Sequence, residues 1–394
     1  MIKHGLKSIA IVLVVLSAAF FFPGCSLSGP ETTSPEELII ASWNVEALFD
    51  GTDNGTEYSD YSGNAGWTEE KYRARLNGIS GAIKGNGDTE GLKADILVLI
   101  EIENPAVLED LAESTAMDYH WAFFAGAPDS AIGFGVLSRF PLGETRVHSA
   151  HFPSGAVPRP VAEVRVDTGA GPLVLLVCHW KSKLGGEEKT EVLRRTGAGI
   201  AAWRIAEIAA EEPETPVIVL GDLNENYDEF TRIGGAYLCA LIPGSAKAAE
   251  LVRKNPGSIR PGFQDFLVVS GEKPPRTAFF TAGTGAADLT VPVLFSPWME
   301  NEMPDNGSLF GEGPVYQGSF YYKDTWETID HFLLNPALFD GQGWEYGSFR
   351  LAAVRPFTGT SGVPQGYNPR TGSGLSDHLP IVLRLLLLDK SKML

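Results

Sequence analysis

The sequence predicts an α/β protein in which packed β-sheets are covered on the outside by helices. Short apolar runs alternate with clusters of turn-forming residues from Leu38 onward, a pattern typical of many short strands. Helical periodicity is clearest at residues 68–83 and 187–210. The 44 Gly and 26 Pro are spread along the chain, which favours many turns and long loops over a helical bundle.

Each predicted strand is a short apolar run. The run that follows Asp95 and ends at Ile100 is continuous, which is typical of a strand buried on both faces. In chain order, the predicted strands cover residues 38–43, 95–100, 132–138, 161–166, 173–179, 217–220, 328–334 and 381–387.

The two predicted helices differ in their signals. Thr68, with Glu70 and Lys71 behind it, is a plausible start for the first helix. The second helix is expected to bury a broad apolar face, formed by Leu193, Ile200, Trp203, Ile205 and Ile208. Residues 288–317 are rich in Pro, Gly, Asn and Asp and have little periodicity, so we expect a long loop or insertion there.

The first 24 residues are typical of an export signal. Lys3 and Lys7 precede an apolar stretch, residues 9–22, that is short for a membrane-spanning helix. The following Gly24-Cys25 resembles the lipobox of bacterial lipoproteins, in which the cysteine is lipidated. We therefore expect an exported protein held at a membrane of the cell envelope through Cys25. Secretion by an ordinary signal with an incidental cysteine is the alternative.

The rest of the chain reads as a tether and one domain. Residues 25–37 contain Pro and Thr in the manner of a linker, and residues 38–390 are expected to form the folded domain. The formal net charge of -18 gives no long-range attraction to polyanions and argues against a non-catalytic protein that coats nucleic acid. An enzyme that meets one phosphate at a time remains compatible, because a bound metal supplies local positive charge.

Polar side chains follow or interrupt six of the predicted strands. These side chains are Asn44, Glu101, His179, Asp222 with Asn224, Asp330, and Asp377 with His378. A sheet whose strand ends converge would bring them together. Carboxylate and amide oxygens without thiolates suit a hard cation, so we expect Mg²⁺ or Mn²⁺, with Ca²⁺ as a further candidate.

These residue types match the chemistry of phosphate-ester hydrolysis. Glu101, Asn44 and Asp377 suffice for Mg²⁺, which keeps several of its waters. His378 can polarise water if Asp330 fixes its tautomer, and a carboxylate inside an apolar strand is costly unless it is paired. A protonated His179 would donate a hydrogen bond to a charged oxygen. A metal, a base and donors around one phosphorus are the parts that this reaction needs.

Six short motifs in this order resemble the endonuclease/exonuclease/phosphatase superfamily, which includes DNase I-like nucleases, abasic-site endonucleases, sphingomyelinases and inositol-polyphosphate phosphatases. The motifs are Trp43-Asn44-Val45-Glu46-Ala47-Leu48-Phe49-Asp50, Ile100-Glu101-Ile102-Glu103-Asn104, His179-Trp180-Lys181-Ser182-Lys183, Gly221-Asp222-Leu223-Asn224, Thr328-Ile329-Asp330-His331 and Ser376-Asp377-His378-Leu379-Pro380. The resemblance implies a four-layer α/β sandwich of two facing mixed β-sheets flanked by helices, as in DNase I.

The resemblance also implies roles for the site residues. Glu101 would be the main metal carboxylate, with Asn44 and Asp377 nearby and Glu46 as a further contact. His378 would be the general base or a phosphate-binding group, oriented by Asp330. The remaining implied roles are to align or activate the attacking water (Asp222), to hold a phosphate oxygen (Asn224) and to stabilise the pentacovalent phosphorane (His179). Ile100 and Ala47 depart from the commoner Gln and Asn of the family, at positions that the mechanism does not require.

Three positive side chains are candidates for substrate binding. Lys181 and Lys183 belong to the version of their motif found in secreted bacterial nuclease-like members, where they could meet a phosphodiester backbone. Arg159 matches a family position that is either structural or faces the substrate.

The motifs thus favour a metal-dependent phosphodiesterase, first of all a nuclease acting by in-line attack of water on phosphorus. A phosphatase or a sphingomyelinase-like phospholipid phosphodiesterase of the same fold is the main alternative, and lipid anchoring fits it slightly better. A non-catalytic surface lipoprotein is a third reading, disfavoured because Glu101, Asp222 and His378 are all present. No protein partner is evident.

Overall fold

The computed structural model of the protein describes residues 35–86, 89–127, 130–150, 159–254, 264–274, 279–283, 288–300 and 318–388. The expected export signal, Cys25 and most of the tether lie outside these residues. Within the described ranges, no helix combines the length and the hydropathy needed to cross a membrane.

The described residues form strands and helices along the whole domain. The strands are β1 (Glu37–Leu48), β2 (Gly85–Asn86), β3 (Thr89–Glu90), β4 (Ile96–Ile102), β5 (Trp121–Gly126), β6 (Gly133–Ser138), β7 (Leu142–His148), β8 (Val161–Asp167), β9 (Pro172–His179), β10 (Val217–Asp222), β11 (Leu241–Pro243), β12 (Leu267–Ser270), β13 (Phe279–Gly283), β14 (Asp288–Phe295), β15 (Phe320–Tyr322), β16 (Thr325–Glu327), β17 (Asp330–Leu334), β18 (Gly343–Leu351) and β19 (Ile381–Leu388). The helices are α1 (Glu69–Lys84), α2 (Pro105–Thr115), α3 (Glu187–Glu211), α4 (Glu229–Arg232) and α5 (Ala246–Lys254).

Two large mixed sheets contain most of these strands. Sheet I has the order β18-β19-β1-β4-β6-β5. Sheet II has the order β11-β12-β14-β17-β10-β9-β8-β7, with β13 paired to β14. The central strand β1 is parallel to β4 and antiparallel to β19. The central strand β10 is likewise parallel to β9 and antiparallel to β17.

The main hydrophobic core lies between the two sheets. Successive side chains of β9 point to opposite faces of sheet II, so this strand contributes to two hydrophobic clusters. Leu175 and Val177 belong to the cluster shared with sheet I, while Val174 and Leu176 belong to a cluster that includes residues of α3. Helices α1 and α2 contact sheet I, and α3 contacts sheet II. The arrangement is helix, sheet, sheet, helix, which confirms the predicted fold class.

The predicted strands correspond to β1, β4, β6, β8, β9, β10, β17 and β19, and the predicted helices to α1 and α3. The Thr68 hydroxyl accepts a hydrogen bond from the Lys71 amide at 3.4 Å and caps α1. The prediction of a long loop over residues 288–317 is wrong for its first eight residues, because Asp288–Phe295 forms β14 inside sheet II. The turn-forming residues are concentrated after that strand, and residues 301–317 lie outside the described ranges.

The expected apolar face of α3 is only partly correct. Ile205 and Ile208 are buried, but Trp203 remains 37% exposed. The helix approaches sheet II so closely that a Cβ atom at Gly197 would lie 2.5 Å from Trp180 Nε1. Small residues from Gly197 to Ala202 therefore form much of the buried face, and Trp203 lies beside it.

Candidate functional site

The polar strand ends meet at one edge of the sandwich. In sheet I, Asn44 of β1 lies opposite Ile100, directly before Glu101 of β4. In sheet II, Asp222 of β10 lies opposite His179 on one side and opposite Asp330 on the other. His378 precedes β19, which pairs with β1. Both sheets therefore contribute to one cluster of polar side chains.

Asn44 links the two sheets within this cluster. Its buried amide nitrogen donates to Glu101 Oε1 at 3.3 Å and to Asp222 Oδ2 at 3.0 Å. Its Oδ1 atom accepts from the Glu46 amide at 2.9 Å. Asn44 thus presents nitrogen to the carboxylates, and its predicted role as a metal ligand would require the amide group to turn over. In the present geometry it holds Glu101 and Asp222 beside each other.

Irregular backbone conformations set the directions of the Glu46 and Glu101 side chains. The β1–β4 pairing shifts register between Asn44 and Leu48, and Glu46 and Ala47 there have φ angles of 54° and 57°. The β4–β6 pairing shifts between Ile100 and Ile102, and the intervening Glu101 has φ 69°. Bulges redirect side chains and are common beside active sites. Positive φ at residues other than glycine costs conformational energy that the surrounding contacts must offset.

His378 and Asp330 form a buried pair. His378 Nδ1 lies 2.7 Å from Asp330 Oδ2, and the Ser319 hydroxyl donates to the same oxygen at 2.6 Å. The Phe320 ring packs against the imidazole with centroids 4.7 Å apart. These contacts leave Nε2 as the ring nitrogen directed away from Asp330, 3.9 Å from Asp377 Oδ1.

The charges around His378 favour its protonated form. Burial alone would lower its pKa, but Asp330, Asp377 and Asp222 together raise the pKa well above its ordinary value. The structure therefore favours a hydrogen-bond donor at His378 Nε2 over an unprotonated base.

His179 lies close to two of the carboxylates. Its Nε2 atom is 3.7 Å from Glu101 Oε1 and 3.8 Å from Asp222 Oδ2. Burial, followed by the positive charges of Arg159 and His378, lowers its pKa well below the ordinary value. The lowered pKa favours the neutral form of His179, which can still donate through one N–H, over the protonated form considered from the sequence.

Asp222 and Asn224 form a tight turn after β10. Asp222 Oδ1 accepts from the Asn224 amide at 2.9 Å, and Asn224 Nδ2 donates to the Trp180 carbonyl at 3.2 Å. Burial and the nearby Asp330 raise the pKa of Asp222 to about 7. Ligand atoms of Asp222, Asp330 and His378 all lie within 4.8 Å of one another.

The donor set fits a hard divalent cation. Burial raises the pKa of Glu101, and Asp377 raises it further. Asp330 Oδ1 is buried and has no hydrogen-bond partner among the residues that the structure describes. Carboxylates that disfavour one another's ionisation are stabilised in the charged form when a cation contacts their oxygens. Glu101 and Asp377 remain the predicted ligands, and their oxygens suit Mg²⁺, Mn²⁺ or Ca²⁺.

Glu46, the further metal contact implied by the resemblance, faces backbone amides instead. Its Oε2 atom accepts from the Tyr367 amide at 2.6 Å and from the Asp377 amide at 3.0 Å. Burial and Asp377 raise its pKa to about 7. Glu46 thus holds the segment that carries Asp377 against the end of β1.

The three candidate substrate cations lie in different environments. Arg159 donates to the Trp180 carbonyl at 2.8 Å, and its charge lowers the pKa values of both Glu101 and His179. Lys181 donates to the Ser182 hydroxyl at 2.9 Å. Lys183 forms an ion pair with Glu229 and lies 3.4 Å from Glu327 Oε2, so its charge is offset within the protein. Substrate contact by these residues stays a prediction, and Lys183 is the least available of the three.

Ser319 and Phe320 lie at the site and Arg75 lies behind it, but the sequence did not single them out. Ser319 and Phe320 sit just beyond the stretch expected to be a loop and carry no local pattern that points to His378. Arg75 has a weak signal, since it falls on the same face of α1 as the apolar Tyr72 and Ile79.

Glycine is required directly before Asp222. Gly221 has φ 121°, and a Cβ atom there would lie 2.1 Å from the Cys178 carbonyl oxygen of the neighbouring strand. We expect Gly221→Ala to lower the free energy of unfolding by about 2 kcal/mol or more, because it combines strained backbone with overlap. Gly81→Ala in α1, where nothing lies within 4 Å of the added atom, is expected to stabilise by about 0.5–1 kcal/mol. Urea unfolding of both variants checks this, and equal midpoints would contradict it.

Comparison with known proteins gives a family match and structural similarities. Residues 39–233 match the family described as the Endonuclease/Exonuclease/phosphatase family. No curated protein gives a significant match to the sequence. ANGEL2, described as a 2',3'-cyclic phosphatase, superposes with a TM-score of 0.50 at 12% identity, over 90% of this chain and 96% of that chain. At such identity the similarity shows the fold alone.

Two further solved structures are similar over most of their length. Truncated TDP2 of Caenorhabditis elegans gives a TM-score of 0.48 at 15% identity, over 89% of this chain and 97% of that chain. An endonuclease/exonuclease/phosphatase family protein of Bacteroides thetaiotaomicron gives a TM-score of 0.44 at 15% identity, over 91% of this chain and 100% of that chain. Residues 39–233, which contain the first four of the six motifs, thus match the endonuclease/exonuclease/phosphatase family, and the two-sheet fold of the described residues agrees with that match.

Proposed function

We propose that the protein is a divalent-metal-dependent phosphodiesterase that hydrolyses its substrate by in-line attack of water on phosphorus. The observation that carries the proposal is the position of Asp222. It lies between the His378–Asp330 pair and Glu101, which Asn44 holds beside it. One cluster thus contains a carboxylate whose pKa is near neutrality, a charged donor and the acidic oxygens that a cation needs.

Each residue has a distinct part in this mechanism. Asp222, with a pKa of about 7, orients the attacking water and accepts its proton. His378, kept protonated by its carboxylate neighbours, donates from Nε2 to a phosphate oxygen. His179 and the Asn224 amide donate to the oxygens that gain charge as the bond to the water oxygen forms and the bond from phosphorus to the leaving oxygen breaks. The leaving alkoxide then takes its proton from solvent. A cation held by Glu101 and Asp377 supplies further positive charge to the phosphate when it is bound.

Nucleic acid is the substrate we propose first. Arg159 and Lys181 place positive charge next to the catalytic groups, in a protein that is acidic elsewhere. A phosphodiester backbone can use such local charge without long-range attraction. A phosphatase or a phospholipid phosphodiesterase would use the same cluster, because substrate choice in this fold depends on the surrounding loops.

A hydrolysis assay tests the proposal. The purified full chain, kept in mild detergent, is incubated with Mg²⁺, Mn²⁺, Ca²⁺ or EDTA and with plasmid DNA, RNA, bis-p-nitrophenyl phosphate, sphingomyelin or p-nitrophenyl phosphate. Metal-dependent cleavage of DNA or RNA that His378→Ala abolishes would support the nuclease. Cleavage of the lipid or the monoester alone would support the alternative. A folded protein that hydrolyses none of these substrates would overturn the enzymatic proposal.

We further propose that the protein is exported and anchored through a lipid on Cys25. The support is the order of Lys3, the apolar residues 9–22 and Gly24-Cys25 at the start of the chain. In a bacterial host, we expect Cys25→Ser to move the protein from the membrane fraction to the soluble fraction. Ser26→Ala, one residue further on, should leave it with the membranes. A wild-type protein found in the soluble fraction would contradict the anchor.

A further inference from the structure

A buried arginine lies behind the candidate site. Arg75 belongs to α1 and is only 3% exposed. Burial lowers the pKa of its guanidinium to about 10, so it stays charged at neutral pH. No carboxylate forms a hydrogen bond with it among the described residues. A buried charge without such a partner is costly, which raises the question of what holds it there.

The guanidinium connects two segments that carry site residues. Its NH2 group donates to the carbonyl oxygens of Val45 and Glu46, the latter at 3.2 Å. Its NH1 group donates to the carbonyl oxygen of Leu375. Its plane stacks on the Tyr367 ring, with the central carbon 3.7 Å from the ring centroid. Arg75 therefore joins the irregular end of β1 to the segment that enters Ser376-Asp377-His378.

Two other bonds cross between the same segments. Glu46 Oε2 accepts from the Asp377 amide at 3.0 Å. The Ser376 hydroxyl donates to the Asn44 carbonyl at 2.7 Å and accepts from the His378 amide at 3.0 Å. The Glu46 carboxylate and the Ser376 hydroxyl belong to the two segments that they join. The Arg75 guanidinium extends instead from α1, a helix that carries no predicted site residue. Arg75 thus ties both segments to α1, an element outside the site.

We propose that Arg75 is a positioning residue that sets the distance between the Asn44–Glu46 segment and the Asp377–His378 segment, and thereby the affinity of the site for its divalent cation. The inference rests on the proposed metal-dependent function. Arginine suits the task because its planar group donates to several carbonyls in fixed directions and stacks on an aromatic ring at the same time. A lysine has the same charge but cannot hold three carbonyls in that plane.

Direct Mn²⁺ binding to the purified full chain, measured by calorimetry below the melting temperature of each variant, tests the inference. We expect Arg75→Lys and Arg75→Met to weaken binding about tenfold or more, as the loss of outer partners of metal ligands does elsewhere. Tyr367→Leu removes the stacking ring but no hydrogen-bond donor, and should weaken binding by a smaller factor. Arg73→Lys, on the exposed side of the same helix, is the matched control and should bind as the wild type.

The outcomes separate this inference from the proposed function. Lower melting temperatures with unchanged Mn²⁺ affinity in Arg75→Lys and Tyr367→Leu would show a structural role only and overturn the inference. In that case a loss of binding in Glu101→Gln would still support the metal site. A wild-type protein that does not bind Mn²⁺ would overturn both. Mg²⁺ titrations of activity provide a second readout, in which kcat of Arg75→Lys should recover at saturating Mg²⁺.

Discussion

Replacing Glu101 by Gln is expected to remove most of the hydrolytic activity and to weaken its dependence on divalent metal. The substitution keeps the shape of the side chain and an oxygen that can accept from Asn44 Nδ2, but it removes the charge that a cation needs. We expect kcat/KM to fall about a thousandfold, which corresponds to about 4 kcal/mol. Activity measured over a range of Mg²⁺ concentrations, with Mn²⁺ calorimetry beside it, checks both parts.

Glu101→Gln, which lowers activity, is expected to stabilise the metal-free protein. Burial raises the pKa of Glu101 above its ordinary value, so the ionised carboxylate destabilises the folded state as the pH rises above that value. The neutral amide should therefore raise the metal-free melting temperature at pH 7. The difference should vanish below pH 4.5, the ordinary pKa. Glu103→Gln, whose carboxylate binds the Asp50 amide outside the cluster, is the matched control for activity. A Glu101→Gln enzyme with wild-type turnover and metal response would refute the metal assignment.

Replacing His378 by Ala is expected to lower kcat by about 10²–10⁴ while the fold is retained. The ring is held by Asp330 on one side and by Phe320 on the other. Because His378 and Asp330 act as a unit, Asp330→Asn combined with His378→Ala should cost little more than His378→Ala alone. The exposed His120 is the matched control, and His120→Ala should leave kcat unchanged.

The pH profile distinguishes the two roles available to His378. Asp330 raises the pKa of this histidine, so Asp330→Asn should lower it. If the protonated ring donates to the phosphate, activity is lost as the pH rises through its pKa, and Asp330→Asn should move that alkaline limb to lower pH. A shift of the acidic limb instead would make His378 the base and leave Asp222 to orient the water.

The part of the site predicted from the sequence depends on one simple signal. Asn44, Glu101, Asp222 and His378 were found because each polar residue adjoins an apolar run, and strand ends meet at sheet edges. Their backbone conformations could not be found in this way, since the positive φ of Glu101 arises from pairing with β6 and not from local propensity. The orientation of the Asn44 amide likewise depends on Glu46 and Asp222, which lie on different segments.

The fold prediction failed where local composition and tertiary contacts disagree. β14 was interpreted as a loop because the turn-forming residues after it dominate the segment, yet its pairing with β12 and β17 stabilises it as a strand. Helix α2, which was not predicted, is short; Pro105 occupies its first position, and the Asn104 side chain caps the helix by accepting a hydrogen bond from the Val107 amide. The role of Arg75 depends on Leu375, 300 residues further along the chain, a contact that no local pattern reports.

The pairing of β1 with β19 has a consequence for biosynthesis. The Glu37–Arg384 side-chain contact spans 347 residues, and contacts of such long sequence separation form late and slowly. A nascent chain that has not yet emerged beyond His378 lacks β19, one of the two neighbours of β1, and the partner of Asp330. We expect such a chain to be inactive, although it already contains Glu101, His179 and Asp222. If the proposed export takes the chain across a membrane unfolded, the proposed hydrolase would first become competent on the far side, away from the phosphodiesters of the compartment in which it is made.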